Sequence, residues 1–353
     1  MTTSSCVGQW VPVEPLATSV LEHMLVIAHR GASGYRPEHT PAAYSLAAAL
    51  GADYLEPDLV ATLDGVLVAR HENEISGTTD IADHPVFADR RITKIVDGTA
   101  VTGWFVEDFT YEELRTLRAR ERMPALRCAN TAYDGRESIP TFDDVVALAR
   151  QESARLGRSI GVFPEIKHPM YFRRLGLPLE ELLAERIVSL GLNRGGDKPA
   201  EVMVQSFEPT SLRRLAVMTD VPLVQLIDSD GAPNDLLRVG DRRTFADLIE
   251  PAGLREISTY AQVLAPHKDL VIPRTASGEL DAPTSLVEQA HRAGLAVHLW
   301  TFRAEQRFLP IGLDLAAELA RFAATGIDGV FADQPDIAVA LAAKVNQRVR
   351  VNY

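Results

Sequence analysis

The feature that most constrains the fold of this chain is a regular alternation of short apolar segments with helix-like segments. The apolar segments predict strands at residues 24–28, 54–59, 159–165, 201–206, 223–227, near 271, 295–301 and 329–332. Helix-like segments alternate with them at residues 40–50, 142–156, 179–190, 211–217, from 244, 283–293, 313–325 and 337–345. Such alternation is typical of a parallel sheet, and about eight units favour closure into a barrel.

Two further observations favour a barrel over an open, doubly wound sheet. No Gly-x-Gly-x-x-Gly turn follows the first strand. Polar residues stand at the C-terminal ends of several separate strands, and in a barrel these ends converge on one mouth. We therefore predict an α/β fold, a TIM (β/α)8 barrel that forms a single domain over residues 1–353.

The alternation stops between residues 72 and 140. This stretch is polar, carries scattered glycine, arginine and aspartate, and contains one helix-like segment near residues 111–119. Because it is much longer than a usual strand-to-helix loop, we predict a small insertion over the barrel face, after the second strand and its Asp64-Gly65 hairpin. Residues 1–23 are predicted to form an N-terminal tail.

Charge and hydropathy exclude several classes of partner. With 36 basic and 48 acidic residues, the net charge of −12 argues against nucleic acid and anionic membranes. No apolar run reaches the ~18 residues of a membrane span, so stable membrane insertion is not expected. The first ten residues lack a secretory signal, which predicts a cytoplasmic protein, or an exported one if a signal peptide has been removed.

Acidic residues stand at two predicted strand ends. Glu56 and Asp58 are two apart, so both side chains point to the same face of their strand. Close carboxylates repel unless a cation lies between them, and hard oxygen ligands favour Mg²⁺ or Ca²⁺. Glu165 could complete the site, with Lys167 beside it to meet a phosphate oxygen. The alternatives are a solvated strand end and a local ion pair at the rim.

Two histidines flank these acids. His29 closes the first strand, followed by Arg30, and His71 closes the segment after the hairpin. A strand-end histidine is often only a hydrogen-bonded rim residue. Beside a cation site, however, two imidazoles that titrate near neutrality suit the acid and the base of phosphodiester cleavage. The guanidinium of Arg30 matches the geometry of phosphate oxygens.

Further polar and aromatic residues stand at other strand ends. Gln205 could hold a hydroxyl group, and Trp300 could form an apolar wall, although a strand-end tryptophan is often part of the core. His298 is expected to be a core residue or to support the site from behind. No role is assigned to the remaining histidines, which are His23, His39, His84, His168, His267 and His291.

Taken together, these motifs resemble those of the glycerophosphodiester phosphodiesterase family. The opening motifs are residues 28–34 (AHRGASG), 37–40 (PEHT) and 51–59 (GADYLEPDL), with Asp64-Gly65 and His71. Residues 163–167 (FPEIK), 204–207 (VQSF), 297–301 (VHLWT) and 326–333 (GIDGVFAD) resemble the bacterial periplasmic-type branch. The chain departs from the family after His71, where it reads Glu72-Asn73-Glu74.

The resemblance implies a TIM-barrel enzyme that hydrolyses glycerophosphodiesters to glycerol 3-phosphate and an alcohol. It implies one divalent cation, Ca²⁺ or Mg²⁺, on Glu56, Asp58 and Glu165. The catalytic pair would be His29 and His71, and the substrate would contact Arg30, Lys167, Gln205 and Trp300.

In the expected mechanism, one histidine takes the proton of the glycerol 2-hydroxyl as it attacks phosphorus, and the other protonates the departing alcohol. Two alternatives stay open: a phosphodiesterase of the lysophospholipase D or sphingomyelinase D kind, and a non-catalytic glycerophosphodiester-binding barrel. The sequence also leaves open the alcohol head group, the choice of ion, the order of the two histidines and the oligomeric state.

Overall fold

The structure, a computed structural model, describes residues 24–192 and 201–351. Eight strand positions form a ring: β1 (Leu25–His29), β2 (Tyr54–Glu56 and Asp58–Ala61), β3 (Gly161–Val162 and Glu165–Ile166), β4 (Val204–Ser206), β5 (Leu223–Ile227), β6 (Val263–Pro266), β7 (Ala296–Phe302) and β8 (Gly329–Ala332). Every neighbouring pair is parallel, and β8 pairs with β1 to close the barrel. The predicted fold class is confirmed.

Proline accounts for the break in β2 and contributes to the break in β3, because it has no N–H to donate to the sheet. Pro57 separates Glu56 from Asp58, and Pro164 stands directly before Glu165. The ladder nevertheless continues, since the Glu165 N–H donates to the Pro57 carbonyl at 2.9 Å. The register places Asp58 beside Glu165, and Glu165 beside Gln205 on the next strand.

Twelve α-helices cover the barrel or its connections in the described ranges. They are α1 (Pro41–Ala49), α2 (Tyr111–Leu114), α3 (Phe142–Leu156), α4 (Pro169–Arg174), α5 (Leu179–Ser189), α6 (Pro209–Leu215), α7 (Asn234–Arg238), α8 (Phe245–Leu248), α9 (Pro251–Ile257), α10 (Leu286–Arg292), α11 (Leu315–Ala323) and α12 (Pro335–Val351). Helix α1 begins as predicted, with the Thr40 side chain accepting from the Ala43 N–H. Within the described ranges, none of these helices has the length and apolar character needed to cross a membrane.

Residues 72–140 contain only α2, four short 3₁₀ helices and a two-stranded hairpin of Ile92–Val96 with Thr99–Gly103. Their assignment as an insertion stays our interpretation. The Asp64-Gly65 hairpin is confirmed, since Leu67–Ala69 pairs antiparallel with β2. The predicted tail of residues 1–23, and with it the expectation about a signal peptide, lies outside the described residues.

The strand predicted near residue 271 is wrong. Strand β6 occupies Val263–Pro266, and Val271 follows a 3₁₀ helix at Lys268–Leu270. Val271 and Ile272 are nevertheless buried. An apolar pair is buried equally well beneath a turn, so hydrophobicity alone did not identify the strand.

Gly161 in β3 faces the ring of Tyr54 in β2, and an added Cβ would lie 2.2 Å from that ring. Tyr54 is buried and packs edge-on against Phe163, so it has little room to move. We expect Gly161→Ala to lower the free energy of unfolding by about 1–3 kcal/mol, measured by urea titration. The control is Gly77→Ala, where the new Cβ meets no atom within 4 Å. If the two variants unfold at the same urea concentration, the proposed clash with Tyr54 is contradicted.

Candidate active site

Three carboxylates meet at the C-terminal mouth of the barrel. Glu56, Asp58 and Glu165 each offer one oxygen, and these oxygens all lie within 4.8 Å of one another. The residues are only 1%, 1% and 7% exposed. The arrangement follows from the register of β2 and β3, which sets Asp58 directly beside Glu165. These are the three acids that the sequence predicts as metal ligands.

The electrostatics of this cluster favour a bound cation. Burial, reinforced by repulsion from Asp58, holds the pKa of Glu56 well above its usual range. Burial and the same neighbour raise the pKa of Glu165 to about 8, although Lys167 opposes the rise. Burial would also raise the pKa of Asp58, but nearby cations, Lys167 first among them, hold it low. A divalent ion among the three oxygens would relieve the repulsion, so the residues present fit such an ion.

Asp58 is fixed by two residues of the loop after β1. Its Oδ2 contacts His39 Nε2 at 2.9 Å and Arg30 Nε at 3.2 Å. The other nitrogen of His39 lies 2.9 Å from the Tyr44 hydroxyl. The sequence predicts no role for His39, because its position in a loop carries no strand-end signal. The structure makes it a positioning residue for a candidate metal ligand.

The loop that presents Arg30 and His39 has an unusual backbone. Both residues have positive φ angles, 60° and 54°, which residues other than glycine rarely adopt. Two hydrogen bonds hold them there: the His39 N–H donates to the Arg30 carbonyl at 3.1 Å, and the Arg30 N–H donates to Glu56 Oε2 at 2.7 Å. The loop conformation is thereby tied to the acid cluster.

Each predicted catalytic histidine has a carboxylate at its Nδ1. His29 Nδ1 lies 2.6 Å from Asp333, at the end of β8, and His71 Nδ1 lies 2.5 Å from Glu72. These contacts fix both ring orientations and leave Nε2 for chemistry. In the sequence Asp333 is only one member of a motif, although its place at a strand end is a usable signal. Glu72 departs from the family pattern, yet it supplies the partner of His71.

Both imidazoles are uncharged at neutral pH. Burial, followed by the charge of Arg30, lowers the pKa of His29 to about 4. Burial, Arg30 and Lys167 lower the pKa of His71 to about 3. A neutral ring can accept a proton. An anionic phosphate bound beside either ring would raise its pKa again and favour the protonated form that a donor needs.

A cavity of about 230 Å³ opens beside the acid cluster. Eight of the nine predicted site residues contribute to its wall: His29, Arg30, Glu56, His71, Glu165, Lys167, Gln205 and Trp300. The ninth, Asp58, is buried behind them. The ammonium group of Lys167 lies 2.8 Å from Glu165 and 3.2 Å from His71 Nε2, so it stands between the acid cluster and one imidazole.

Gln205 and Trp300 form one side of this cavity. The Gln205 amide donates to Glu56 at 3.2 Å, while its buried Oε1 has no partner within the described residues. A free buried acceptor is suited to a substrate hydroxyl. The Trp300 indole donates to the Ala265 carbonyl at 2.8 Å and packs edge-on against Phe207, which fixes an apolar wall.

A closed parallel barrel with acidic, imidazole and basic side chains at the C-terminal mouth defines a TIM barrel with a candidate active site at that mouth. Comparison with known proteins identifies its family. Residues 29–337 match the Glycerophosphoryl diester phosphodiesterase family. A glycerophosphodiester phosphodiesterase of Arabidopsis thaliana, GDPD6, is 35% identical over 321 residues, which cover 87% of this chain and 82% of the relative. This chain belongs to the glycerophosphoryl diester phosphodiesterase family.

Solved structures agree on the fold. A glycerophosphodiester phosphodiesterase from Agrobacterium tumefaciens has a TM-score of 0.56 at 20% identity, covering 91% of this chain and 99% of that one. A phosphodiesterase from Oleispira antarctica, solved in complex with the product sn-glycerol-3-phosphate, has a TM-score of 0.56 at 21% identity, with coverage of 93% and 97%. The predicted family and the assignment to phosphodiester hydrolases are confirmed.

Proposed function

We propose that this chain hydrolyses glycerophosphodiesters to glycerol 3-phosphate and an alcohol, using one divalent cation and two histidines. The observation that carries the proposal is that the cluster of three buried carboxylates adjoins the cavity that His29 and His71 line. The names of the relatives support the substrate class, and the product complex of the Oleispira protein supports glycerol 3-phosphate as a product.

Glu56, Asp58 and Glu165 would hold the cation, either Mg²⁺ or Ca²⁺. Their oxygen-only donor set matches both ions and is less suited to zinc. When bound, the ion offsets charge on the phosphoryl oxygens and lowers the pKa of a nearby hydroxyl. Arg30 and Lys167, which line the same cavity, would stabilise the charge that grows on the phosphoryl group.

The contacts of the two imidazoles support a division of roles between them. Nε2 of His71 lies against the Lys167 ammonium, which can only donate, so this nitrogen stays unprotonated and suits the base. His71 would take the proton of the glycerol 2-hydroxyl as its oxygen bonds to phosphorus. His29 would donate a proton to the alcohol oxygen as its bond to phosphorus breaks. Water then opens the cyclic phosphate with the two roles reversed, which gives glycerol 3-phosphate.

A turnover assay on several glycerophosphodiesters tests this function. We expect release of glycerol 3-phosphate and the free alcohol, loss of turnover in excess chelator, and recovery when Mg²⁺ or Ca²⁺ is added back. Lysophosphatidylcholine is the comparison substrate. If the enzyme hydrolyses it faster than the glycerophosphodiesters, the lysophospholipase D alternative is favoured. Binding of glycerophosphocholine without product release would instead support a non-catalytic barrel and contradict the proposal.

A further inference from the structure

A second cavity, of about 300 Å³, adjoins the first at the mouth of the barrel. His29, Arg30 and Arg303 line both cavities, so these three residues form the shared wall. The rest of its wall comes from the loop after β1, from residues 122–127, from the loop after β7 and from the end of β8, and consists of Ser33, Glu38, Arg122, Met123, Arg127, Arg307, Phe308 and Asp333. Gln205, whose free oxygen suits a substrate hydroxyl, and Trp300 do not line it. Two adjoining compartments separated by His29 suit the two halves of a diester.

The second cavity is rich in arginine. Five guanidinium groups and two carboxylates line it: Arg30, Arg122, Arg127, Arg303, Arg307, Glu38 and Asp333. Four of the arginines have carboxylate partners. Glu38 pairs with Arg30 and Arg122, and Asp333 pairs with Arg127 and Arg303. Glu72 and Glu305 add a second carboxylate to Arg122 and Arg127.

Arg307 is the exception among the described residues. It is exposed, its guanidinium packs 5.2 Å from the centre of the Phe308 ring, and it forms no ion pair with any described carboxylate. Arg303 packs on the same ring at 4.8 Å and uses only its Nε to bind Asp333. Asp58 also pairs with Arg30, so five carboxylates offset the other four arginines, and Arg307 alone keeps a charge that no described carboxylate pairs. An unpaired guanidinium group on the cavity wall suits an anionic ligand, in a chain whose net charge is −12.

We propose that the second cavity binds the leaving alcohol, and that it selects an alcohol carrying a phosphate group of its own. This inference rests on the proposed function, in which His29 donates a proton to the departing oxygen and so must lie beside it. Guanidinium groups match phosphate oxygens in geometry and charge, whereas a cationic alcohol such as choline is repelled by them. Phe308 keeps two of these groups in place.

The experiment compares two substrates that differ only by a phosphate on the alcohol: glycerophosphoinositol and glycerophosphoinositol 4-phosphate. With the metal-loaded enzyme we expect kcat/KM to be about 5–10-fold higher for the phosphorylated substrate, the size expected for one added hydrogen bond of ordinary net strength at an exposed side chain. Arg307→Gln should bring this ratio close to 1. The matched control is Arg292→Gln, an exposed arginine on α10 that lines neither cavity and should keep the wild-type ratio.

A binding measurement separates this inference from the proposed function. Titration calorimetry with inositol 4-phosphate should show binding to the wild type and to Arg292→Gln, and weaker binding to Arg307→Gln. Turnover without any preference for the phosphorylated substrate refutes this inference alone. An equal loss on both substrates in Arg307→Gln also refutes it, since the arginine would then act on the reacting phosphate or on the fold. No turnover on any glycerophosphodiester refutes the proposed function, and the inference with it.

Discussion

Replacing His71 with alanine is expected to lower kcat on glycerophosphocholine by about 10²–10⁴-fold, the cost of losing the general base. His29→Ala is expected to cause a similar loss on the same substrate, because choline is a poor leaving group that needs the proton of a general acid. Both are measured as steady-state rates at saturating metal. The fold should survive both substitutions, because the carboxylates beside the two histidines keep other partners. Asp333 still pairs with Arg127, and Glu72 still pairs with Arg122.

An activated substrate separates the two roles. When the alcohol is p-nitrophenol, the leaving group departs without a proton, so His29→Ala should recover most of its lost rate in the first turnover, measured as the pre-steady-state burst of p-nitrophenol. Opening of the cyclic phosphate should stay slow in this variant, because the roles are reversed in that step and His29 is then the base. His71→Ala should stay slow on the same substrate, because the attacking hydroxyl still needs its base. Recovery in His71→Ala rather than His29→Ala would reverse the assignment. Near-normal turnover of glycerophosphocholine in both variants would refute the two-histidine mechanism.

Glu56→Gln is expected to lower activity by about 10²-fold or more at a fixed, moderate metal concentration. The variant loses one of three anionic ligands, and metal stabilisation of the developing charge accounts for several kcal/mol of the barrier. An amide has nearly the same shape as a carboxylate, so the amide oxygen of the variant can still accept the hydrogen bond from the Arg30 N–H. The measurement is kcat/KM as a function of Mg²⁺ and of Ca²⁺ concentration.

Thermal unfolding in chelator controls for damage to the fold. Burial and repulsion raise the pKa of Glu56, so in the metal-free folded state this carboxyl is held against the ionisation that it undergoes freely in the unfolded chain, which lowers stability at neutral pH. A neutral glutamine removes that repulsion, and the Tm of Glu56→Gln without metal should equal or exceed that of the wild type. A large fall in Tm would mean that the loss of activity reflects unfolding rather than a lost ligand.

Local sequence signals, such as helix caps and runs of apolar residues, predict most of the secondary structure. The span of α3 was predicted to the residue, because the segment opens with Thr141 and Asp144 as a capping box and ends at Gly157 in a left-handed conformation. The hairpin of Ile92–Val96 was missed although Asp97-Gly98 carries the expected turn signal. Its strands are largely exposed, so they lack the apolar alternation that marks a strand in sequence.

The sequence predicts those site residues that stand at strand ends. It does not predict the residues that hold them in place from distant parts of the chain. Glu56, Asp58 and Glu165 are brought together by strand register, which the barrel topology already implies. Asp333 supports His29 from 304 positions away, and no local spacing connects the two. His39 reaches Asp58 only because its loop turns back at a positive φ, a conformation that the sequence does not encode in any simple pattern.

The most direct test of this account is a calorimetric titration of chelator-stripped protein with Mg²⁺ and, separately, with Ca²⁺. The account predicts one divalent ion per chain in the wild type, and loss of that binding when Glu56, Asp58 and Glu165 are replaced together by the corresponding amides. Unchanged stoichiometry and affinity in the triple variant would contradict it, because the ion would then bind elsewhere and these three acids would not form the metal site.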